Sequence, residues 1–434
     1  MSHKEKIARI SDRIKNIPIG SKASFIKKSV SHQVPKSKSN PDNRTAIDIS
    51  DLDEIIEINA RERFCVAEPG VPFSTLVKET LKHGLVPITV PELKTITVGG
   101  AVAGGSVESM SFKYGGFHDN CLEYEVIDGK GDIIICSPEN NSELFHMVHG
   151  TFRTIGLITK IKFRLIPSKP FIHVLYCSFE SIEEYIKAIK EHSEKNDFDF
   201  MDGIIHTPNN FVLCLGNFRD SAPYSHSYDW PRIFYKSTAK RKEDYMKTTD
   251  YFFRYDAGCH WTGRNYGLDN PLIRFLFGKI FLPSDRMLSL GKWVVKTFKI
   301  TEPDIVVDTF FPIEKFKEFF EFYLREFNDF PIWIVPYKIV DYPWINPNHL
   351  RGISDNLLID FAIYGMKEKK GENHYRIMEE ELLKLPGLKT LISHNFFTEE
   401  EFWRIWNKET YARMKEKTDP RNIFGDLYQK AHQR

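Results

Sequence analysis

No stretch of this 434-residue chain approaches the roughly 18 consecutive apolar residues that a membrane span needs. The densest apolar stretch, RFLFGKIFLP from Arg274 to Pro283, is interrupted by Lys279. The N-terminus, MSHKEKIARISDRIKNIP, has none of the apolar core of a secretory leader. These absences lead to the expectation of a cytoplasmic protein without a transmembrane span, peripheral membrane contact remaining open. Charge of one sign is also missing. Lys and Arg total 60 against 59 Asp and Glu, so the net charge of +1 gives no support for a nucleic-acid partner. The six cysteines lack CxxC spacing and are read as reduced and mostly buried. There is no HExxH, no His/Cys/Asp ligand spacing and no nucleophile elbow, which sets metal and acyl-transfer chemistry aside. No GxGxxG opens a dinucleotide fold.

Glycine is concentrated in one place. From Leu85 to Asp119 the chain reads LVPITVPELKTITVGGAVAGGSVESMSFKYGGFHD, with Gly99, Gly100, Gly104, Gly105, Gly115 and Gly116 among small and hydroxyl side chains. Such a run lets backbone approach a guest closely and turn bare N–H groups toward it, and the usual guest is a phosphate. The run is too long and wrongly spaced for a nucleotide P-loop or a Rossmann turn. It implies a diphosphate-bearing cofactor. Thr-Ile-Thr-Val at its start and Val102 within it argue for burial rather than a surface loop.

Around it the elements alternate irregularly. Ala46–Ile49 and Phe64–Ala67 read as short strands, and Phe73–Gly84 as a helix with Ser74 as N-cap and Gly84 after its end. Leu122–Ile127 and Asp132–Cys136 flank the turn Asp128-Gly129-Lys130-Gly131, a hairpin pattern. Ile161, Phe163 and Leu165 alternate with basic residues, as in a half-buried strand. Ser181–His192 and Thr398–Lys417 carry helix-start boxes, Ser181 with Glu184 and Thr398 with Glu401. Pro167 and Pro170 mark a domain boundary. Irregular alternation with hairpins favours an α+β fold over a doubly wound parallel sheet.

The segment Val90–Asp119 resembles the FAD-binding segment of PCMH-type flavoproteins, the vanillyl-alcohol-oxidase superfamily. Within them it is most similar to the delta-24 sterol reductases, the diminuto or seladin family. Ser142–Phe171 resembles their second FAD-contact segment, and Asn270–Pro283, Phe330–Ile339, Leu357–Gly365 and Glu400–Tyr411 their cap segments. The resemblance implies a two-lobed FAD domain over residues 1–170, an α+β cap over 171–410, and a C-terminal segment, 411–434, packing back on the FAD domain. It implies that Thr97, Gly99 and Gly100 pass the diphosphate with their N–H groups toward it. Gly104, Gly105, Ser109, Ser111, Tyr114 and Gly115 would line the ribityl and flavin side, and Thr154, Gly156 and Ile158 the second wall. A bulky residue at Gly100 is expected to abolish cofactor binding.

The activity so implied is NADPH-dependent reduction of a C=C bond in a sterol or isoprenoid lipid. An FAD-dependent oxidase or dehydrogenase of a sugar, lactone or hydroxy acid is the alternative, and an inactive flavin- or lipid-binding protein the third. Three departures stand out. Arg153 occupies a position that is commonly glycine. The first phosphate loop has only Lys27-Lys28-Ser29-Val30-Ser31-His32 as a counterpart. The N-terminal membrane segment of the sterol reductases has none. His32 is a candidate for covalent flavin attachment or a plain loop residue, and His118 lies near the flavin by motif position. The proton donor is sought in the cap cluster Tyr251, Arg254, Tyr255, Asp256 and His260, with Tyr255, Asp256 and His260 as its catalytic members. Tyr364 and Tyr411 are alternatives. Trp333, Tyr337, Trp403 and Trp406 line a lipid slot or are simply core.

Overall fold

The first thirteen-residue helix, His3–Lys15, forms in a strongly charged sequence. Ser2 and Glu5 cap it reciprocally, and Ile7, Ile10 and Ile14 recur on one face that buries against Ile47, Leu157 and Phe424. In this computed structural model the described residues are 1–28, 44–229, 232–257, 259–267, 269–270, 272, 274–276, 284, 286, 305–340, 344–350, 353, 356–369 and 371–432. His32 and most of the segment 270–283 lie outside them.

The molecule is mixed α and β. Strands β1 (Lys22–Ile26) and β2 (Arg44–Asp48) form a parallel pair. A second sheet runs β3 (Ile55–Asn59), β4 (Phe64–Ala67), β8 (Leu157–Pro167), β6 (Cys121–Ile127), β7 (Ile133–Cys136), and β5 (Leu85–Pro87) pairs with the far end of β8. The turn Asp128–Asp132 closes the β6–β7 hairpin, where the Asp128 carboxylate accepts from the Lys130 and Asp132 amides.

From Phe171 the strands join another sheet, eight-stranded and antiparallel. Its spatial order is β12 (Glu243–Lys247), β9 (Phe171–Phe179), β11 (Asn210–Arg219), β10 (Phe200–Thr207), β14 (Ile332–Lys338), β15 (Leu357–Met366), β13 (Ile305–Pro312), β16 (Leu388–Lys389). Its strands are apolar on both faces. Met201, Leu213, Ile334 and Phe361 face the helices Ile182–Lys195, Phe316–Glu326 and His374–Lys384. Phe316–Glu326 is built from FKEFFEFYLRE, a poor helix sequence by propensity. Its five buried aromatics contribute roughly 1.5–3 kcal/mol each against at most about 0.7 kcal/mol of propensity cost, so burial decides.

The opposite face, with Phe200, Val212, Trp333, Val335, Leu358 and Ala362, shares one apolar core with the second sheet and the glycine run. The helix Ser111–Tyr114 lies on β14, and the Met201 amide donates to the Ser109 carbonyl at 2.6 Å. The glycine run is thus pressed between the two sheets.

Local details differ from the sequence expectations. The helix Phe73–Leu81 has Pro72 at its N-cap and no side-chain cap; Ser74 sits inside the first turn. The expected helix from Thr398 is two, Glu399–Ile405 and Lys408–Thr418, because Trp406 is extended and Asn407 caps a new start. After Thr418, Lys415 donates to the Thr154 and Gly425 carbonyls at 2.6 and 2.7 Å, and Gly129 N–H donates to the Thr418 carbonyl at 2.7 Å. No helix among the described residues is long and apolar enough to cross a membrane.

Candidate functional site

The glycine run begins with the helix Val98–Gly104, capped by Thr97. Its first amides are occupied within the protein. Val98 N–H donates to the Val71 carbonyl (2.9 Å), Gly99 N–H to the Pro69 carbonyl (2.9 Å) and Gly100 N–H to Thr97 Oγ1 (3.3 Å). Of the three N–H groups expected to point at a diphosphate, those of Gly99 and Gly100 therefore have partners already. The glycines also separate into two groups. A Cβ on Gly99 would meet Pro69 at 2.5 Å, on Gly115 the Asp119 carboxylate at 2.5 Å, and on Gly156 Val126 at 2.4 Å, so close packing within the protein requires these three. A Cβ on Gly100 would find only the Thr97 hydroxyl at 3.2 Å, one on Gly104 only Ile392 at 3.5 Å, and one on Gly105 nothing within 4 Å. This second group borders open space of the kind a cofactor fills.

The opposite wall is the loop leading into β8. Gly150 N–H reaches the Val102 carbonyl of the glycine helix (3.4 Å), and Thr154 folds back on Thr151 through amide and hydroxyl. Between them Phe152 and Arg153 have φ of 48° and 66°, the left-handed region that side chains resist. Ile158 is buried opposite Val126 on β6. Arg153 lies over the Phe25 ring, 4.9 Å from its centre. Lys430, from the C-terminal helix Leu427–Ala431, donates to the Phe152 carbonyl, and Lys415 to the Thr154 carbonyl. Lys430 is pushed well below the usual lysine range by burial and then by the charges of Arg153, Lys415, Arg44 and Lys27. An extended anionic cofactor fits these walls: open space over Gly100 and Gly105, and a surplus of cations opposite.

At the other end, beneath the eight-stranded sheet, acidic groups collect. Glu108 follows the glycines and is 3% exposed. Its amide donates to Ser111 Oγ (2.8 Å), its Oε2 accepts from the Ser109 amide (3.2 Å), and its carboxyl is within hydrogen-bond reach of that of Glu92. Burial, and then the charge of Glu92, push its carboxyl well above the usual range. Burial acts on Glu92 too, but the hydrogen bond and charge of His260 outweigh it and hold Glu92 at about 2. The His260 Nε2 to Glu92 Oε1 distance is 3.0 Å. Asp202 on β10 is fully buried, its Oδ2 accepting from Arg254 Nη2 (2.9 Å), Tyr255 Oη (3.1 Å) and Trp333 Nε1 (2.9 Å). Asp308 on β13 accepts from Tyr364 and is raised to about 6, chiefly by burial. Asp360 on β15 is raised well above its usual range by burial and by Asp308, and its Oδ1 has no partner.

Of the cap residues named from sequence, Tyr255 and His260 meet here with their rings stacked, centres 4.5 Å apart, and His260 packs against Trp333 and Tyr364. Tyr251 donates to Ser109 Oγ at 3.2 Å. Asp256 does not join them; its Oδ1 accepts from the Lys94 amide (2.8 Å) and Ser284 Oγ (2.6 Å). Tyr411 accepts from the Leu427 amide (2.9 Å) and pins the C-terminal helix. The aromatic series divides. Trp333 and Tyr337 lie on β14, whereas Trp403 and Trp406 border a small opening beside Gly150 and Thr151. His118 is buried, its ring 5.1 Å from that of His149.

Sequence reasoning missed Glu92, Glu108, Asp202, Asp308 and Asp360. A signal was present: FMDGII, VVDTFF and LLIDFAIYG each place one Asp inside an apolar strand. Phe200, Phe310 and Leu358 belong to the shared core, so their period-two neighbours Asp202, Asp308 and Asp360 all turn toward the glycine run.

Fold and site together are those of an FAD-linked oxidoreductase, and the FAD binding domain family matches residues 13–137, including the whole glycine run. Over 397 residues the chain is 25% identical to human Delta(24)-sterol reductase, covering 87% of this chain and 76% of that protein. It is 24% identical over 427 residues to the Delta(24)-sterol reductase of Arabidopsis thaliana, covering 89% and 76%. A shorter stretch of 158 residues is 34% identical to cytokinin dehydrogenase 9 of Oryza sativa subsp. japonica, covering 36% of this chain and 30% of that one.

Proposed function

We propose that this chain reduces an isolated C=C bond of a sterol or isoprenoid-type lipid, with NADPH as the reductant. The observation that carries the reading is Glu108, a carboxyl buried at the boundary between the glycine run and the cap sheet and pushed by that burial well above the usual carboxylate range. Bound FAD supplies hydride transfer to carbon. An unactivated alkene accepts hydride poorly, so a proton must reach the other carbon early, from a desolvated acid. Glu108 is placed in that role. His260 keeps Glu92 ionised, and the charge of Glu92 in turn keeps the proton on Glu108. Arg254, Tyr255 and Trp333 all donate to Asp202 Oδ2, which ties that carboxyl into the wall of the site. Gly100, Gly104, Gly105 and Ile158 border the cofactor. The same reading divides the chain into an FAD domain over 1–170, a cap over 171–410 and a returning segment over 411–434. The change of sheet between β8 and β9 and the bonds of Lys415 support that division.

A second reading has one observation behind it. The His260 ring, 3.0 Å from the Glu92 carboxylate, has the arrangement of an imidazole oriented by an acid partner, as a dehydrogenase of a hydroxyl group requires. The two are separated by mixing the FAD-loaded protein anaerobically with NADPH and then with an alkene lipid. Bleaching by NADPH and recovery of colour with the alkene are expected. Bleaching by a sugar or hydroxy acid alone, without response to NADPH, would replace the first reading by the second.

A further inference from the structure

We propose that the diphosphate of the cofactor is gripped by side-chain cations, Arg153 and Lys430 foremost, and not by the amides at the start of the glycine helix. The inference rests on the FAD reading above. Three observations carry it. The amides of Val98, Gly99 and Gly100 are all bonded within the protein, to Val71, Pro69 and Thr97. Arg153 has no carboxylate partner among the described residues; its one contact of note is the face of Phe25, at the end of β1. Lys430 is anchored on the Phe152 carbonyl next door, and Arg44 and Lys27 lie within electrostatic reach.

Like charges gathered in a half-buried cleft repel one another and cost stability. The left-handed backbone at Phe152 and Arg153 adds strain at a place where glycine would be unstrained. A dianion lying against Arg153 and Lys430 relieves the repulsion and gains charge-assisted hydrogen bonds. Arg153 supplies a planar fork suited to two phosphate oxygens, and Lys430 a point charge. FAD carries such a dianion at its centre, as does free pyrophosphate, so the two sources need separate arms.

The test uses deflavinated full-length protein, titrated with FAD, riboflavin and inorganic pyrophosphate. Arg153→Gly suits the local backbone, and Lys430→Met keeps the bulk of the side chain. Each is expected to weaken FAD by about 10- to 100-fold while leaving riboflavin unchanged. Each should flatten the salt dependence of FAD binding, and Lys430→Met should raise the melting temperature of the flavin-free protein. Arg153→Lys should restore part of the FAD affinity. Equal loss of FAD and riboflavin, or no loss of either, overturns the proposal. If the wild type binds no flavin, the FAD reading falls. The cluster then survives as a diphosphate site only if pyrophosphate stabilises the wild type and not Lys430→Met, and falls too if it does not.

Discussion

The two ends of the candidate site handle surplus charge in opposite ways. Around Arg153 and Lys430, cations stand in a half-open cleft with little to neutralise them. Around Glu108, Asp308 and Asp360, carboxyls are sealed under a sheet, and burial pushes all three above the usual carboxylate range, Asp308 to about 6. Burial and mutual repulsion push Lys430 toward giving up its proton, and an anion laid against it and Arg153 would hold the charge in place, so the first region is suited to meet an anion. A carboxyl can discharge by taking up a proton, so the second is built to hold protons in a dry place. Asp202 marks the limit of the second rule. There Arg254 Nη2 stands 2.9 Å from the carboxylate as a buried partner of opposite charge.

The comparison can be broken at several points. Glu108→Gln removes the stored proton and little else. Alkene reduction should fall by about 100- to 10,000-fold while flavin content and reduction of the flavin by NADPH hold; unchanged turnover would remove Glu108 from the chemistry. Asp202→Asn leaves Arg254 buried without its counter-charge and should cost about 3–5 kcal/mol, read by denaturant unfolding. That outcome is opposite in sign to the stabilisation expected from Lys430→Met, and two changes of the same sign would void the contrast. Gly156→Val, between the regions, should cost about 1–3 kcal/mol through collision with Val126, and Val126→Ala should recover most of it. No recovery would mean that Gly156 is required by something other than Val126.

The smallest effect concerns the N-terminal helix. The His3 ring bonds Glu125 and Glu68, each at 2.7 Å, and those bonds raise it from 6.5 to about 9. Its contribution is therefore complete below about pH 6.5 and lost as pH rises through 9. Glu125, buried but held down to about 2 by His3 and Thr159, contributes above about pH 4.5 and loses that as pH falls through 2. Amide exchange in the helix His3–Lys15 should be slowest between pH 4.5 and 6.5, after correction for intrinsic rates, and faster at pH 9. Equal protection across that range would show that the isoleucine face alone holds the helix.

Much of this was legible in the residues. The glycine run, the β6–β7 hairpin, β8 and the box at Thr398 all follow from local chemistry. The N-terminal helix was not read from sequence, because Ile7, Ile10 and Ile14 stand in a background of charge and the Ser2–Glu5 box opens the chain itself. The break at Trp406–Asn407 escaped because the apolar stripe before it is unbroken, and a polar cap within a helical pattern carries no mark of its own. The cation cluster is beyond local reading. Lys430 and Phe152 are 278 positions apart, and only tertiary structure brings them together. Among the glycines, sequence does not separate those that pack on Pro69 or Val126 from those that border open space, because all of them lack the same atom.

Two aspartates set into apolar strands, Asp308 and Asp360, make the fold itself sensitive to pH. Asp308, at about 6 in the folded protein against 3.8 when exposed, stabilises the fold less as the medium passes from pH 4 to pH 6, and Asp360 drifts the same way. An ordinary salt-bridged enzyme gains endurance over that interval. This one should tolerate mild acid better than mild alkali, and leucine at Asp360 should yield a hardier protein near neutral pH, read by its melting temperature.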